Sequence, residues 1–131
     1  MIILDSSYAL ALVLPDEQRP ASVHTVLAAR LAAPMIWPLE VANALRTNLM
    51  RRRLDEAGVD EICLRLSDFQ VDVIGAGHQQ PRRFFEAAQH HDLTPYDATY
   101  LVLAQQLSAP LATRDANLAR AARRAGIPIL D

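Results

Sequence analysis

The sequence has no lysine: all thirteen of its basic residues are arginine. This excludes a Walker P-loop, whose phosphates need the lysine. It also excludes Schiff-base chemistry and any lysine general base. Cys63 is the only cysteine, so an internal disulfide and a cysteine-based zinc site are excluded as well. In a helical pattern such a residue is expected to be a small buried hydrophobe. Aromatic residues are few, 5% of the chain, and scattered, which leaves no evident base-stacking platform. No apolar run is long enough to span a bilayer, and no basic n-region follows Met1; the expected location is cytoplasmic. The net charge of -2 argues against binding nucleic acid through bulk charge, but does not exclude a local basic patch.

What is present is ordinary globular composition. Of 131 residues, 51% are apolar and 21% charged, enough for one domain over residues 1–131 with one proper core. No linker, repeat or low-complexity segment interrupts it. Met1 to Leu4 is a short apolar run, read as a buried strand of a parallel sheet and closed by Asp5. Ser6 is expected to cap a helix carrying Tyr8 to Leu14, which stops before Pro15. The pattern of Val23, Val26, Leu27 and Leu31 predicts a second helix over Ala21–Ala33. Met35 to Trp37 is expected to be a short strand. Pro38 then opens a helix that runs to Arg53, with Glu40 in its first turn.

Asp55 is expected to cap a further helix, with Ile62, Leu64 and Leu66 inward and Cys63 beside them. Val71 to Ile74 is read as a strand, and Gly75-Ala76-Gly77 as a turn. Pro81 to His91 is expected to be helical with Phe84, Phe85 and Ala88 inward. A fourth strand is expected over Leu111–Thr113. A helix then starts at Asp115 and ends at Gly126. Ile127 to Leu130 reads as an edge strand, where Pro128 is tolerated. This alternation indicates an α/β fold with a mainly parallel sheet.

The most informative stretch is Thr94 to Ala104. Thr94 suits an N-cap, Pro95 the first helical position, and Asp97 the first turn, where the helix dipole favours a negative charge. The residues that follow are apolar nearly all round, so the helix is expected to be buried. A carboxylate at the mouth of a buried helix is costly unless something pairs with it. Three other acids occupy comparable places: Asp5 after the first strand, Glu40 in an early helical turn, and Asp115 after the Thr113 strand. Sites in open parallel sheets form just outside the carboxyl ends of the strands. Capping alone accounts for acids at helix starts. Four at such ends also read as an oxygen-ligand cluster for Mg²⁺ or Mn²⁺, which can activate water for in-line attack on a phosphodiester.

Four segments carry a family resemblance. Met1-Ile2-Ile3-Leu4-Asp5-Ser6-Ser7, Pro38-Leu39-Glu40-Val41-Ala42-Asn43-Ala44-Leu45, Leu93-Thr94-Pro95-Tyr96-Asp97-Ala98 and Leu111-Ala112-Thr113-Arg114-Asp115 resemble, in order, the motifs of PIN-domain ribonucleases. Within that family the chain is most similar to the toxins of VapBC-type toxin–antitoxin modules. The resemblance covers essentially the whole chain. It implies a Rossmann-like three-layer domain and a Mg²⁺- or Mn²⁺-dependent endoribonuclease. It places the catalytic and metal-binding acids at Asp5, Glu40, Asp97 and Asp115, with the hydroxyls of Ser7 and Thr113 nearby. It also implies an RNA substrate, a homodimer, and a small antitoxin protein lying in an apolar groove. Leu10, Leu12 and Leu14 beside Leu45 and Leu49 are the candidates to line that groove; the alternative is that they are core.

Other residues carry less. His90 and His91, adjacent on a helix, do not face each other and are expected at the surface; His24 and His78 have no motif around them. Arg51-Arg52-Arg53 suits a solvated helix end complementing the dipole, with RNA phosphate binding as the alternative. Ser6-Ser7 lacks a histidine partner for serine nucleophilic chemistry. Rival readings are an aspartyl-phosphate enzyme at Asp5, a non-toxin RNA-processing nuclease, and a catalytically silent binding module. The first wants a second acid at position 7, which is Ser, and a lysine. The last would tolerate loss of the acids, and all four are present.

Overall fold

The computed structural model describes residues 1–78 and 80–131. The chain starts in the middle of its own sheet. Strand β1 (Ile2–Leu4) lies between β2 (Leu31–Pro34) and β4 (Leu111–Ala112); β3 (Asp72–Ile74) and β5 (Ile129–Leu130) form the edges, in the order β3-β2-β1-β4-β5. Every pairing is parallel. Parallel strands buried on both faces read as continuous apolar runs rather than alternating ones. That is the character of Ile2, Ile3 and Leu4, and of Leu31 to Pro34, all of them buried.

The connections are helical: α1 (Ser6–Val13) and α2 (Val23–Leu27), α3 (Trp37–Met50) and α4 (Glu56–Asp68), α5 (Pro81–His91) and α6 (Pro95–Leu107), then α7 (Ala116–Arg124). α1 packs on α3 and α4, while α6 lies on β1, β2 and β4 and packs against α5 and α7. Helix α6 is buried from Tyr100 through Ala104, as its all-round apolar sequence requires. The Thr94 hydroxyl caps it by accepting from the Asp97 N–H at 3.1 Å. Asp55 caps α4 in the same way, accepting from the Gly58 N–H at 2.7 Å. At the end of α7, Gly126 takes φ +77, a conformation that spares only glycine a steric penalty. Among the described residues no helix is long and apolar enough to cross a membrane.

Sequence and structure part most clearly between residues 21 and 37. Instead of a helix over Ala21–Ala33, only Val23–Leu27 is helical, and Leu31–Pro34 is the strand next to β1. Met35 to Trp37 is not a strand; Trp37 begins α3. The Leu-Ala-Ala-Pro run has good helix formers, but ladders with β1 on one side and β3 on the other override that local preference. Leu27, placed on the inward face by the helical pattern, is 40% exposed. In α4, Ile62 and Leu66 are buried but Leu64 is 68% exposed. Residues four apart share a helix face, and residues two apart do not. Cys63 is exposed rather than buried, and Phe85 is exposed while Phe84 is half-buried. Ser6 is the first residue of α1, not its cap; Asp5 takes the cap position without a side-chain capping bond.

Candidate active site

The strand order defines where a site can open. From β1 the chain steps outward through β2 to β3, then returns to the other side of β1 as β4 and β5. The crevice beyond the carboxyl ends of β1 and β4 is therefore the switch point of the sheet, where no connection fills the gap. Asp5 follows β1, and Thr113-Arg114-Asp115 follow β4. The Asp5 N–H donates to the Ala112 carbonyl at 3.0 Å, holding the two exits in register.

Asp5 is tied into a network across this crevice. Its Oδ2 accepts from Ser7 Oγ at 2.5 Å and from Thr113 Oγ1 at 2.6 Å. The backbone N–H of Arg114 donates to Ser7 Oγ, and that of Asp115 to Thr113 Oγ1, both at 3.0 Å. Each hydroxyl thus passes a backbone donor on to the carboxylate, and Thr113 is almost wholly buried while doing so. Burial pushes the Asp5 carboxyl above the ordinary range, the hydroxyls oppose the shift, and the charge of Asp115 adds to it.

The other acids face the same space. Glu40 sits in the first turn of α3 and accepts a hydrogen bond from the Tyr100 hydroxyl on α6. Its carboxyl is raised by burial, with the Tyr100 bond opposing and the charges of Asp5, Asp97 and Asp115 adding to the rise. Asp97, half-buried at the mouth of α6, is raised by burial and then by Asp115 and Asp5, with Thr94 opposing. Asp115 is the N-cap of α7 and accepts from the Leu118 N–H at 2.9 Å. That bond uses one carboxylate oxygen and leaves the other available. The Tyr100 phenol is held far above its usual range by burial and by the neighbouring Asp5 and Glu40.

Among the described residues none of these acids forms an ion pair with an arginine. The ion pairs among the described residues are Arg30–Asp72, Arg82–Glu86 and Arg123–Asp131, all at the surface. The donors that converge are carboxylate and hydroxyl oxygens, the chemistry a hard divalent cation takes. They do not close into a tight cage: among the described residues no three His, Cys, Asp or Glu side chains are drawn together enough to hold an ion. Mg²⁺ does not require one, because it binds through one or two carboxylates and keeps its waters for substrate contacts. The donor set therefore fits such an ion.

Tyr100 was not singled out from the sequence, although it lies three residues after Asp97 and hence on a neighbouring line of the same helix. The Ser6 hydroxyl donates to Asp5 Oδ1 at 3.4 Å. His90 is exposed and His91 half-buried at the end of α5, and although neighbours on a helix point in different directions, their rings meet edge to face with centroids 4.7 Å apart. Arg51 to Arg53 are exposed at the end of α3. Leu12 and Leu45 are core, and Leu10, Leu14 and Leu49 are half-buried.

With this geometry in view, the relationships of the chain are informative. Residues 2–124 match the model of the PIN domain. Mycobacterium bovis VapC ribonuclease Mb0985 is 33% identical over 121 residues, 90% of this chain and 88% of its own. Ribonuclease VapC9 of Mycobacterium tuberculosis matches to the same extent. Among solved structures, PAE2754 from Pyrobaculum aerophilum superposes with a TM-score of 0.74 at 22% identity, over 98% of this chain and 82% of that one. Mycobacterium tuberculosis VapC20, a Sarcin-Ricin loop cleaving toxin, superposes with a TM-score of 0.66 at 21% identity, over 92% of this chain and 95% of that one. The chain belongs to the PIN-domain family, and within it to the group of the VapC ribonucleases.

Proposed function

We propose that the protein is a Mg²⁺- or Mn²⁺-dependent endoribonuclease, the cytoplasmic toxin of a type II toxin–antitoxin module, acting as one domain over residues 1–131. The observation that carries the reading is the group of four acids, none in an ion pair among the described residues and three of them with raised carboxyls. A fold that only needed helix caps would gain nothing by crowding these charges. The 33% identity to VapC ribonucleases supports the same class.

In this reading one or two of Asp5, Glu40, Asp97 and Asp115 would hold the cation directly, and the others would face it through its waters. Ser7 and Thr113 fix the direction of the Asp5 carboxylate, and Tyr100 fixes that of Glu40. When bound, the cation supplies positive charge at the phosphate and makes water a better nucleophile near neutral pH.

The antitoxin partner is part of the proposal. Between α3 and α4 lies an apolar groove of about 390 Å³, lined by Trp37, Pro38, Val41, Leu45, Leu66 and Val71. Of the leucines named as groove candidates, Leu45 lines this groove, while Leu12 is core. A homodimer belongs to the same reading. The test is RNA cleavage by purified protein with Mg²⁺ or Mn²⁺ and with EDTA. Cleavage should require the ion and stop on chelation; undiminished activity in EDTA would sink the mechanism.

A further inference from the structure

The four acids repel a polyanion, so a nuclease of this composition needs positive charge close to them to hold RNA. The sequence points to Arg51-Arg52-Arg53 as the basic run, but that run sits at the far end of α3 from Glu40. The fold assembles a different set. A cleft of about 580 Å³ beside the β4–α7 loop is lined by Arg19, Arg114, Arg120 and Arg123 together with Thr113 and Asp115. These arginines come from the turn after α1, from the loop itself and from α7, so no sequence run announces them.

We propose that this cleft is the track for the sugar–phosphate backbone of single-stranded RNA, leading it to the acid site; the assignment rests on the nuclease reading above. Two observations favour this occupant. The cleft is continuous with the site, because Thr113 and Asp115 line both. Its charge is complementary to phosphate: among the described residues Arg19, Arg114 and Arg120 form no ion pair, Arg120 donates to the exposed Asn117 Oδ1, and Arg123 pairs only with exposed Asp131 at 3.3 Å. An exposed pair of that kind is weak and yields to a better acceptor. Guanidinium groups bind phosphate oxygens in pairs, which positions a backbone without reading its sequence. The small side chains of Ala21, Ala116 and Ala119 on the same cleft let a strand approach closely.

The test is binding of a fluorescein-labelled single-stranded RNA oligonucleotide, followed by anisotropy in EDTA so that no cleavage intervenes. If four phosphates are held, raising salt from about 50 to about 200 mM should weaken wild-type binding about 50-fold, from a slope of about 0.7 per contact. Arg19→Gln/Arg120→Gln should reduce that salt dependence to about 7-fold and bind more weakly at low salt. Arg19→Lys/Arg120→Lys, which keeps both charges, should restore the slope. Arg51→Gln/Arg53→Gln removes the same charge elsewhere and should bind like wild type. Equal affinity of the Arg19/Arg120 Gln variant and wild type, or an equal loss in the α3 variant, overturns the assignment. Cleavage is scored separately: cleft-dependent RNA binding without any metal-dependent cleavage leaves the track standing and removes the nuclease reading. Cleavage with cleft-independent binding does the reverse.

Discussion

Asp5 and Asp97 face the same crevice but are held in opposite ways. Asp5 is buried at the end of the central strand and takes two hydroxyl donors that are themselves fixed by backbone N–H groups. Asp97 is half-exposed at a helix mouth, with Thr94 as its hydrogen-bonding neighbour. Around Asp5, the contacts that hold the fold are the ones the proposed site would use, so a change there should disturb both. At Asp97 the fold gives the carboxylate itself only the Thr94 hydroxyl. The helix is already capped by Thr94, which accepts from the Asp97 backbone and not from its side chain.

The contrast predicts a graded series of stability effects. The largest comes from Thr113→Val, which keeps the shape but removes a donor to a buried carboxylate and an acceptor for the Asp115 N–H. Hydrogen bonds to charged groups are worth about 1.5–3 kcal/mol. Chemical denaturation should show a loss of that order, and cleavage should fall with it. No loss of stability would mean that Asp5 is not held as described.

Asp115 stands between the two extremes, being both an acid of the site and the cap of α7. Asp115→Ala should cost about 1 kcal/mol through the lost cap. Asp115→Asn should cost less, because Asn caps about as well as Asp, while abolishing cleavage to the same degree. If the two variants differ in activity rather than in stability, the cap and not the charge is what the site needs.

A gentler effect is expected with pH. Asp5, Glu40 and Asp97 all have carboxyls raised in the folded chain. The folded state therefore holds protons more tightly than the unfolded one, and stability declines as pH rises through the window from the unfolded carboxyl value, about 4, up to the raised values. Denaturation in EDTA across the acidic range should show this contribution, and Asp97→Asn should flatten it. A variant with an unchanged slope would detach Asp97 from the group.

How far all this was legible in the sequence differs between the same two regions. The segments around Asp5 and Asp97 were readable because local rules govern them: an apolar run ended by an acid, and a Thr-Pro-x-Asp helix start. The parallel sheet followed from the alternation of elements. Residues 21–37 are not legible locally, because Leu31 to Pro34 is a strand only by virtue of its neighbours β1 and β3. Tyr100 looked like core, and its hydroxyl reaches Glu40 only because α6 lies beside the start of α3. The arginine cleft was invisible for the same reason, since Arg19 and Arg120 are a hundred residues apart in the chain and meet only when folded.

The central claim is that the four acids form one site rather than four separate caps, and Asp97→Asn tests it most directly. The variant keeps the side-chain shape and removes one charge from the group. Thermal melts with EDTA and with Mn²⁺, run beside an RNA-cleavage assay, give the answer. The account predicts that the variant loses cleavage, melts no lower than wild type in EDTA, and gains less than wild type from Mn²⁺. A variant that is clearly less stable in EDTA but cleaves RNA like wild type would contradict it.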